Sequence, residues 1–87
     1  MGEVTAVDVE WVGGRNGHLR LAVAYKFSVS GNGPYTGESF WYPAVFIDRR
    51  VRAAQTRIRV GHPVAVRYRP DDPSVNRLDR RVWQSLA

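Results

Sequence analysis

The sequence predicts an α+β, mainly β fold: a five-stranded antiparallel curved sheet or small barrel with one helix between strands 3 and 4. Three observations carry that prediction. Residues 19–29 put a large apolar side chain at every second position, with Arg20, Ala22, Ala24, Lys26 and Ser28 between them, as a half-buried antiparallel strand does. Residues 4–12 alternate in a phase that matches them across a glycine-rich loop. Residues 47–58 place apolar side chains at helical spacing between Asp48 and Gly61.

The first strand puts Val7, Val9 and Trp11 on one face and Asp8 and Glu10 on the other. Gly13-Gly14-Arg15-Asn16-Gly17 reads as a hairpin loop. In the second strand Leu19, Leu21, Val23, Tyr25, Phe27 and Val29 face one way. Pairing Val12 with His18 sets Trp11 against Leu19, Val9 against Leu21 and Val7 against Val23. The same register places Glu10 opposite Arg20 on the solvent face, so both faces agree on one pairing.

Gly31-Asn32-Gly33-Pro34 reads as a second turn, leading into a third strand at about residues 35–42. Alternation does not choose a core face there, because Tyr35 and Trp41 point one way while Phe40 and Tyr42 point the other. Either the strand is covered on both sides or one aromatic pair is exposed and forms a contact patch. Asp48 is expected to cap a helix running to about Arg59, with Ile47, Val51, Ala54 and Ile58 as its buried stripe. Gly61 stands where a helix C-terminal glycine belongs, and Pro63 blocks resumption of the helix. Val64, Val66 and Tyr68 share one face of a fourth strand, a Pro70-Asp71-Asp72-Pro73 turn follows, and a fifth strand ends near Leu78. The stretch from Leu78 to Leu86 reads equally as a last strand or a short amphipathic helix. This order of elements also occurs in the five-stranded OB barrel, an analogy of order and not of topology.

At 87 residues the chain is expected to form one domain, near the lower end of what folds without covalent staples. It contains no cysteine, which excludes a disulfide framework and a cysteine-based zinc site. No apolar run approaches the ~20 residues a membrane span needs. The N-terminus lacks a signal-peptide pattern, so the chain as it stands is expected to be soluble. A net charge of +5 and a pI near 10.4 point to anionic partners, nucleic acid or a membrane surface. Arginine supplies all the basic residues but Lys26, a bias that a GC-rich coding sequence also produces.

One set of residues resembles a bacterial family, domain of unknown function three-five-nine-two. It comprises the strand Leu21-Ala-Val-Ala-Tyr25-Lys-Phe27, the turn glycines Gly31 and Gly33, and Tyr35-Thr-Gly37. A helix follows, then Gly61, Val64, Val66, Tyr68, Pro70 and Pro73, and finally Leu78. The resemblance covers roughly residues 4–78. Arg69, where the family often has an acid, and the basic helix depart from it. The resemblance implies a domain beside or between transmembrane helices of a cell-envelope protein, and so an extramembrane excerpt of a bacterial membrane protein. Residues from Trp83 to Ala87 would then border a membrane-side segment, and Trp83 beside Arg80 and Arg81 suits a membrane interface. It implies no catalytic residue and no cofactor.

The residues themselves agree with a non-catalytic reading. His18 and His62 show no nucleophile–base spacing and read as surface histidines. Asp71 and Asp72 are what a tight turn wants, not a calcium loop. Trp11, Tyr25, Phe27, Phe40 and Tyr68 are core candidates by alternation. The candidate contact surface is Tyr35, Trp41, Tyr42, Arg49, Arg50, Arg52, Arg57, Arg67 and Arg69. A protein partner, a second copy of the chain or an anionic membrane surface are the expected occupants. An OB-like module stacking single-stranded nucleic acid on Trp41 or Tyr35 is the alternative.

Overall fold

The computed structural model describes residues 1–86; Ala87, at the end of the expected border segment, lies outside the described residues. Eight elements follow in order: β1 (Gly2–Val12), β2 (His18–Val29), β3 (Asn32–Trp41), α1 (Ile47–Gln55), β4 (Pro63–Val64), β5 (Val66–Arg69), β6 (Asp72–Leu78) and α2 (Arg80–Gln84). A curled antiparallel sheet runs β3-β2-β1-β4, and β5 and β6 form a separate two-stranded hairpin. The strand and helix counts therefore differ from the predicted five strands and one helix.

The first hairpin takes the predicted register from Val12↔His18 through Glu10↔Arg20 to Val7↔Val23. Arg20 Nε meets Glu10 Oε1 at 3.0 Å on the outer face. A bulge between Val4 and Ala6 then shifts the phase of β1, so that Val4 faces Tyr25 and is fully buried. Simple alternation places Val4 correctly only once this extra residue is counted.

The second turn is Ser30-Gly31, not Gly31 to Pro34. Both residues have positive φ (50° and 80°), the geometry of a two-residue hairpin turn that follows strand twist, and Val29 pairs with Asn32. Pro34 then lies inside β3, which tolerates it because β3 is the sheet's edge and its missing N–H breaks no ladder. Within β3, Tyr35, Gly37, Ser39 and Trp41 pair with Phe27, Tyr25, Val23 and Leu21 and so face the core. Phe40 and Tyr42 point out, so the exposed-pair alternative is the one the fold adopts.

The helix stripe is buried as expected: Val51, Ala54 and Ile58 join the core, with Ile47 packed against it. Two details are corrected. Asp48 does not cap the helix; Phe46 occupies the N-cap position, and the Asp48 carboxylate accepts from the Leu19 backbone N–H at 3.1 Å, tying α1 to the start of β2. The helix ends at Gln55, where Thr56 turns its hydroxyl onto the Ala53 carbonyl (2.7 Å) and competes with the helical ladder. Gly61 is consequently no helix cap. Its N–H donates to the Val4 carbonyl (2.8 Å), while Val4 N–H donates to His62 (2.9 Å), so its φ of 92° serves the turn that brings β4 alongside the bulge in β1.

The predicted fourth strand is split at Ala65. Val64 pairs with Gly2 in the large sheet, whereas Val66 pairs with Leu78 in the hairpin, and the Ala65 carbonyl accepts from Asp79 N–H (2.9 Å). The chain thus leaves one sheet for another within two residues, yet Val64, Val66 and Tyr68 all still turn toward the core side. At the hairpin tip Asp72 Oδ1 accepts from Ser74 N–H two residues on, the bond expected of that turn. The ambiguous tail is a helix. Asp79 caps it by accepting from Arg81 N–H (2.9 Å), and Leu86 is buried beyond it.

Helix α1 covers β2 and β1, while β6 packs beside β3. The hairpin is fixed by aromatic and polar contacts. Phe27 lies between Tyr35 (5.7 Å) and Tyr68 (5.6 Å, stacked). The Tyr25 hydroxyl donates to Asn76 Oδ1 at 2.6 Å, and Asn76 Nδ2 donates to Pro73 and Thr36 carbonyls. Burial pushes the Tyr25 phenol above its ordinary pKa, against the opposite pull of the Ser39 side chain. Gly37 leaves room for this bond. A Cβ there would collide with the Tyr25 hydroxyl (2.5 Å) and with Asn76 Oδ1.

Two outcomes are expected from this packing. Gly37→Ala should destabilise by about 1–3 kcal/mol in urea unfolding, as overpacking does, whereas the same change at exposed Gly14 should be nearly neutral. An unchanged midpoint for Gly37→Ala would contradict the close approach. Hydrogen bonds from the Arg81 side chain and backbone hold the Asp79 carboxyl below its ordinary pKa, with Arg67 adding a smaller pull. That stabilisation is complete above the unfolded-state value, about pH 4, and is lost as pH falls through the lower folded-state value. Asp79→Asn should therefore lose less Tm than the wild type between neutral and strongly acidic pH; parallel melting curves would mean the pairing contributes nothing.

Candidate functional site

Charge is divided unevenly between the two layers. Residues 46–87 hold ten of the thirteen basic residues and four of the eight acids, a net of +6, whereas residues 1–45 hold three basic residues and four acids, a net of −1. The first three strands supply the near-neutral part, and α1, the β5–β6 hairpin and α2 supply the basic one. Counting charges along the chain would have found this partition.

The candidate contact residues separate into three groups. Tyr35 and Trp41 are half-buried against the core, Tyr35 on Phe27 and Trp41 stacked on Trp83 at 6.5 Å and 11°. Tyr42, Arg49 and Arg52 are exposed around the start of α1, and Arg50 is half-buried beside them. Arg57, Arg67 and Arg69 have local partners: the Leu86 carbonyl (3.3 Å), Asp79 (3.8 Å) and Asp71 (2.9 Å) respectively.

Three of the expected core aromatics are corrected. Trp11 is 56% exposed because it sits in the last pairs of the first hairpin, beyond the reach of the second layer; its Nε1 donates to the Gly14 carbonyl (3.2 Å). Phe40 lies on the uncovered face of the sheet, with the Arg20 guanidinium 3.8 Å over its ring. Tyr68 covers Phe27 from the rim of the hairpin and keeps 40% of its surface in solvent.

The segment linking β3 to α1 extends the apolar surface beyond Tyr42 to Val45 and Phe46, which alternation did not reveal. Tyr42, Val45 and Phe46 are all more than half exposed. Phe46 adopts a left-handed conformation (φ 52°, ψ 45°), which costs an aromatic residue on the order of 1–3 kcal/mol. Asp48, held by Leu19 N–H, anchors the backbone directly after it. Arg49 lies 5.0 Å from the Phe46 ring, and Arg52 follows one turn later. Tyr42 rests against His18 (4.8 Å), the first residue of β2. The apolar linker therefore lies at the same end of the sheet as the Gly13–Gly17 loop, Arg15 and exposed Trp11. Its chemistry is an apolar tip bordered by guanidinium groups.

The histidines lie apart. His18 pairs with Val12 at one end of β1, and His62 bonds Val4 near the other, about 26 Å away by strand rise. His62 is exposed beside a cleft of about 660 Å³ whose walls include Ile58, Val64, Val82 and Leu86. Among the described residues no group of three or more histidine or acidic side chains is placed to hold a metal ion, and no helix is long and apolar enough to cross a membrane.

No curated protein and no solved structure significantly matches this chain. A family does, by the description Domain of unknown function (DUF3592), over residues 1–83. That span takes in the alternating second strand, Tyr35-Thr-Gly37, the basic helix and the hairpin through Trp83. With nearly the whole fold inside the match, the chain belongs to the family Domain of unknown function (DUF3592).

Proposed function

We propose that this chain is a non-catalytic binding domain of a bacterial membrane- or envelope-associated protein, and that it docks on an anionic membrane surface. The observation that carries the reading is the exposed, conformationally strained Val45-Phe46 segment running straight into Arg49 and Arg52. Apolar side chains beside guanidinium groups suit the boundary between lipid headgroups and acyl chains. Each basic residue near an anionic leaflet is worth about 1 kcal/mol, and the ring of Phe46 adds burial of apolar area. The low charge of residues 1–45 leaves the sheet without a competing attraction, so the +6 layer sets the orientation. An exposed apolar patch next to charge also suits a protein partner, but the Asp48 carboxylate is taken up by Leu19 N–H, and among the described residues Arg49 and Arg52 have no ion-pair partner, which favours phospholipid.

Co-sedimentation with vesicles tests this. Binding is expected to phosphatidylcholine vesicles containing phosphatidylserine, not to phosphatidylcholine alone, and should weaken as salt is raised. Arg49→Gln with Arg52→Gln should reduce partitioning roughly 30-fold, at about 1 kcal/mol per charge, and Phe46→Ser roughly tenfold. Equal binding to neutral and anionic vesicles, or none to either, would overturn the reading. Saturable, salt-sensitive binding of a single-stranded oligonucleotide in place of vesicles would assign the basic layer to nucleic acid instead.

A further inference from the structure

We propose that Arg67, Arg77 and Arg80, with Trp83 and Leu78, form a binding site for a phosphate monoester group. Arg67 and Arg77 are directly opposite one another in the β5–β6 ladder. Their neighbours in the ladder, Val66, Tyr68, Asn76 and Leu78, turn toward the core side, so the two arginines share the outer face of the hairpin. Like charges directly opposite destabilise a strand pair unless something neutralises them.

The acid within reach is already engaged. Asp79 takes three hydrogen bonds from Arg81, at 2.9, 3.2 and 3.4 Å, and meets Arg67 only at 3.8 Å. Among the described residues Arg77 and Arg80 have no ion-pair partner. The three guanidinium groups line a cleft of about 410 Å³ together with Leu78 and Trp83, and no carboxylate lines it. Trp83 is held there by stacking on Trp41, and Leu78 by its N–H bond to Ser39 Oγ (3.2 Å), so the apolar wall is fixed to the sheet.

A tetrahedral dianion answers this arrangement. Its oxygens can accept from several guanidinium N–H donors at once, with geometry that a single carboxylate does not offer. The apolar wall of Leu78 and Trp83 receives the organic part of the ester. These residues differ from those of the proposed membrane contact, so the site stands or falls separately. The shared chemistry is the phosphate monoester, whether carried by a lipid headgroup or by a soluble metabolite.

The test begins with inorganic phosphate, titrated into the labelled protein at constant ionic strength and followed by heteronuclear NMR. Saturable shifts are expected in the Arg67, Arg77 and Arg80 side-chain N–H signals and in the Trp83 indole. Arg77→Gln and Arg80→Gln should each weaken the fitted affinity about tenfold, the scale of one charge-assisted hydrogen bond, while Arg52→Gln leaves it unchanged. A second arm compares vesicles containing phosphatidic acid or phosphatidylserine, matched in surface charge. Preference for phosphatidic acid that is lost in Arg77→Gln assigns the site to a lipid headgroup; saturable phosphate binding without that preference assigns it to a soluble ester. Unsaturable shifts, or shifts that persist equally in both glutamine variants, would overturn the site and leave the α1 membrane contact unaffected. Conversely, intact phosphate binding with no vesicle binding would keep the site and overturn the proposed membrane function.

Discussion

The hydrogen bond from Tyr25 to Asn76, made across the side-chain-free Gly37, holds the β5–β6 hairpin to the sheet. The hairpin shares no strand ladder with that sheet, because the chain leaves it at Ala65. Docking must therefore come from side chains: this bond, the Phe27–Tyr68 stack and Leu78 in the core. A buried phenol that could not find an acceptor would itself be a penalty, so Tyr25 and Asn76 specify the hairpin's position as well as stabilising it. From that position the rest follows. Asp79 meets the Ala65 carbonyl, α2 begins, and Trp83 arrives on Trp41.

This construction separates two jobs. The β1–β2–β3 meander, near neutral in charge, supplies the long strand pairings and half of the buried core. The layer laid on it carries nearly all the unbalanced positive charge on short elements whose outer faces have few other duties. Where those layers join, Phe46 is held in a left-handed conformation between β3 and the anchored Asp48. Exposed apolar and basic groups at such a junction give the proposed membrane contact, and the opposed arginines of the hairpin give the proposed phosphate site.

The family motif takes on a physical meaning in this light. Tyr25, Phe27, Tyr35, Gly37 and Tyr68 are far apart in the sequence, yet all belong to the contact that docks the hairpin. Gly61 and Val64 close the sheet against the β1 bulge. The resemblance is thus carried by residues of the fold, and for that reason it identifies the family without identifying a ligand. The charged and exposed residues of the two candidate surfaces, Phe46, Arg49, Arg52, Arg67, Arg77 and Arg80, lie outside the motif.

Local pattern by itself determined the first hairpin, its register and the buried stripe of α1. Each depends on periodicity over neighbouring residues, and the two faces of the Glu10–Arg20 hairpin require the same pairing. Only the tertiary structure decided the turn at Ser30, the split at Ala65 and the exposure of Trp11 and Phe40, because those depend on which surfaces the second layer reaches. It also decided the juxtaposition of Arg67 and Arg77. Counting back from the tight turn that joins Arg69 to Asp72 would set Arg67 opposite Ser74, but the irregularity between Tyr68 and Arg69 moves Arg77 into that place. A strand's face is written in its alternation; its coverage, and the slip of a bulge, are settled by packing against residues remote in the chain.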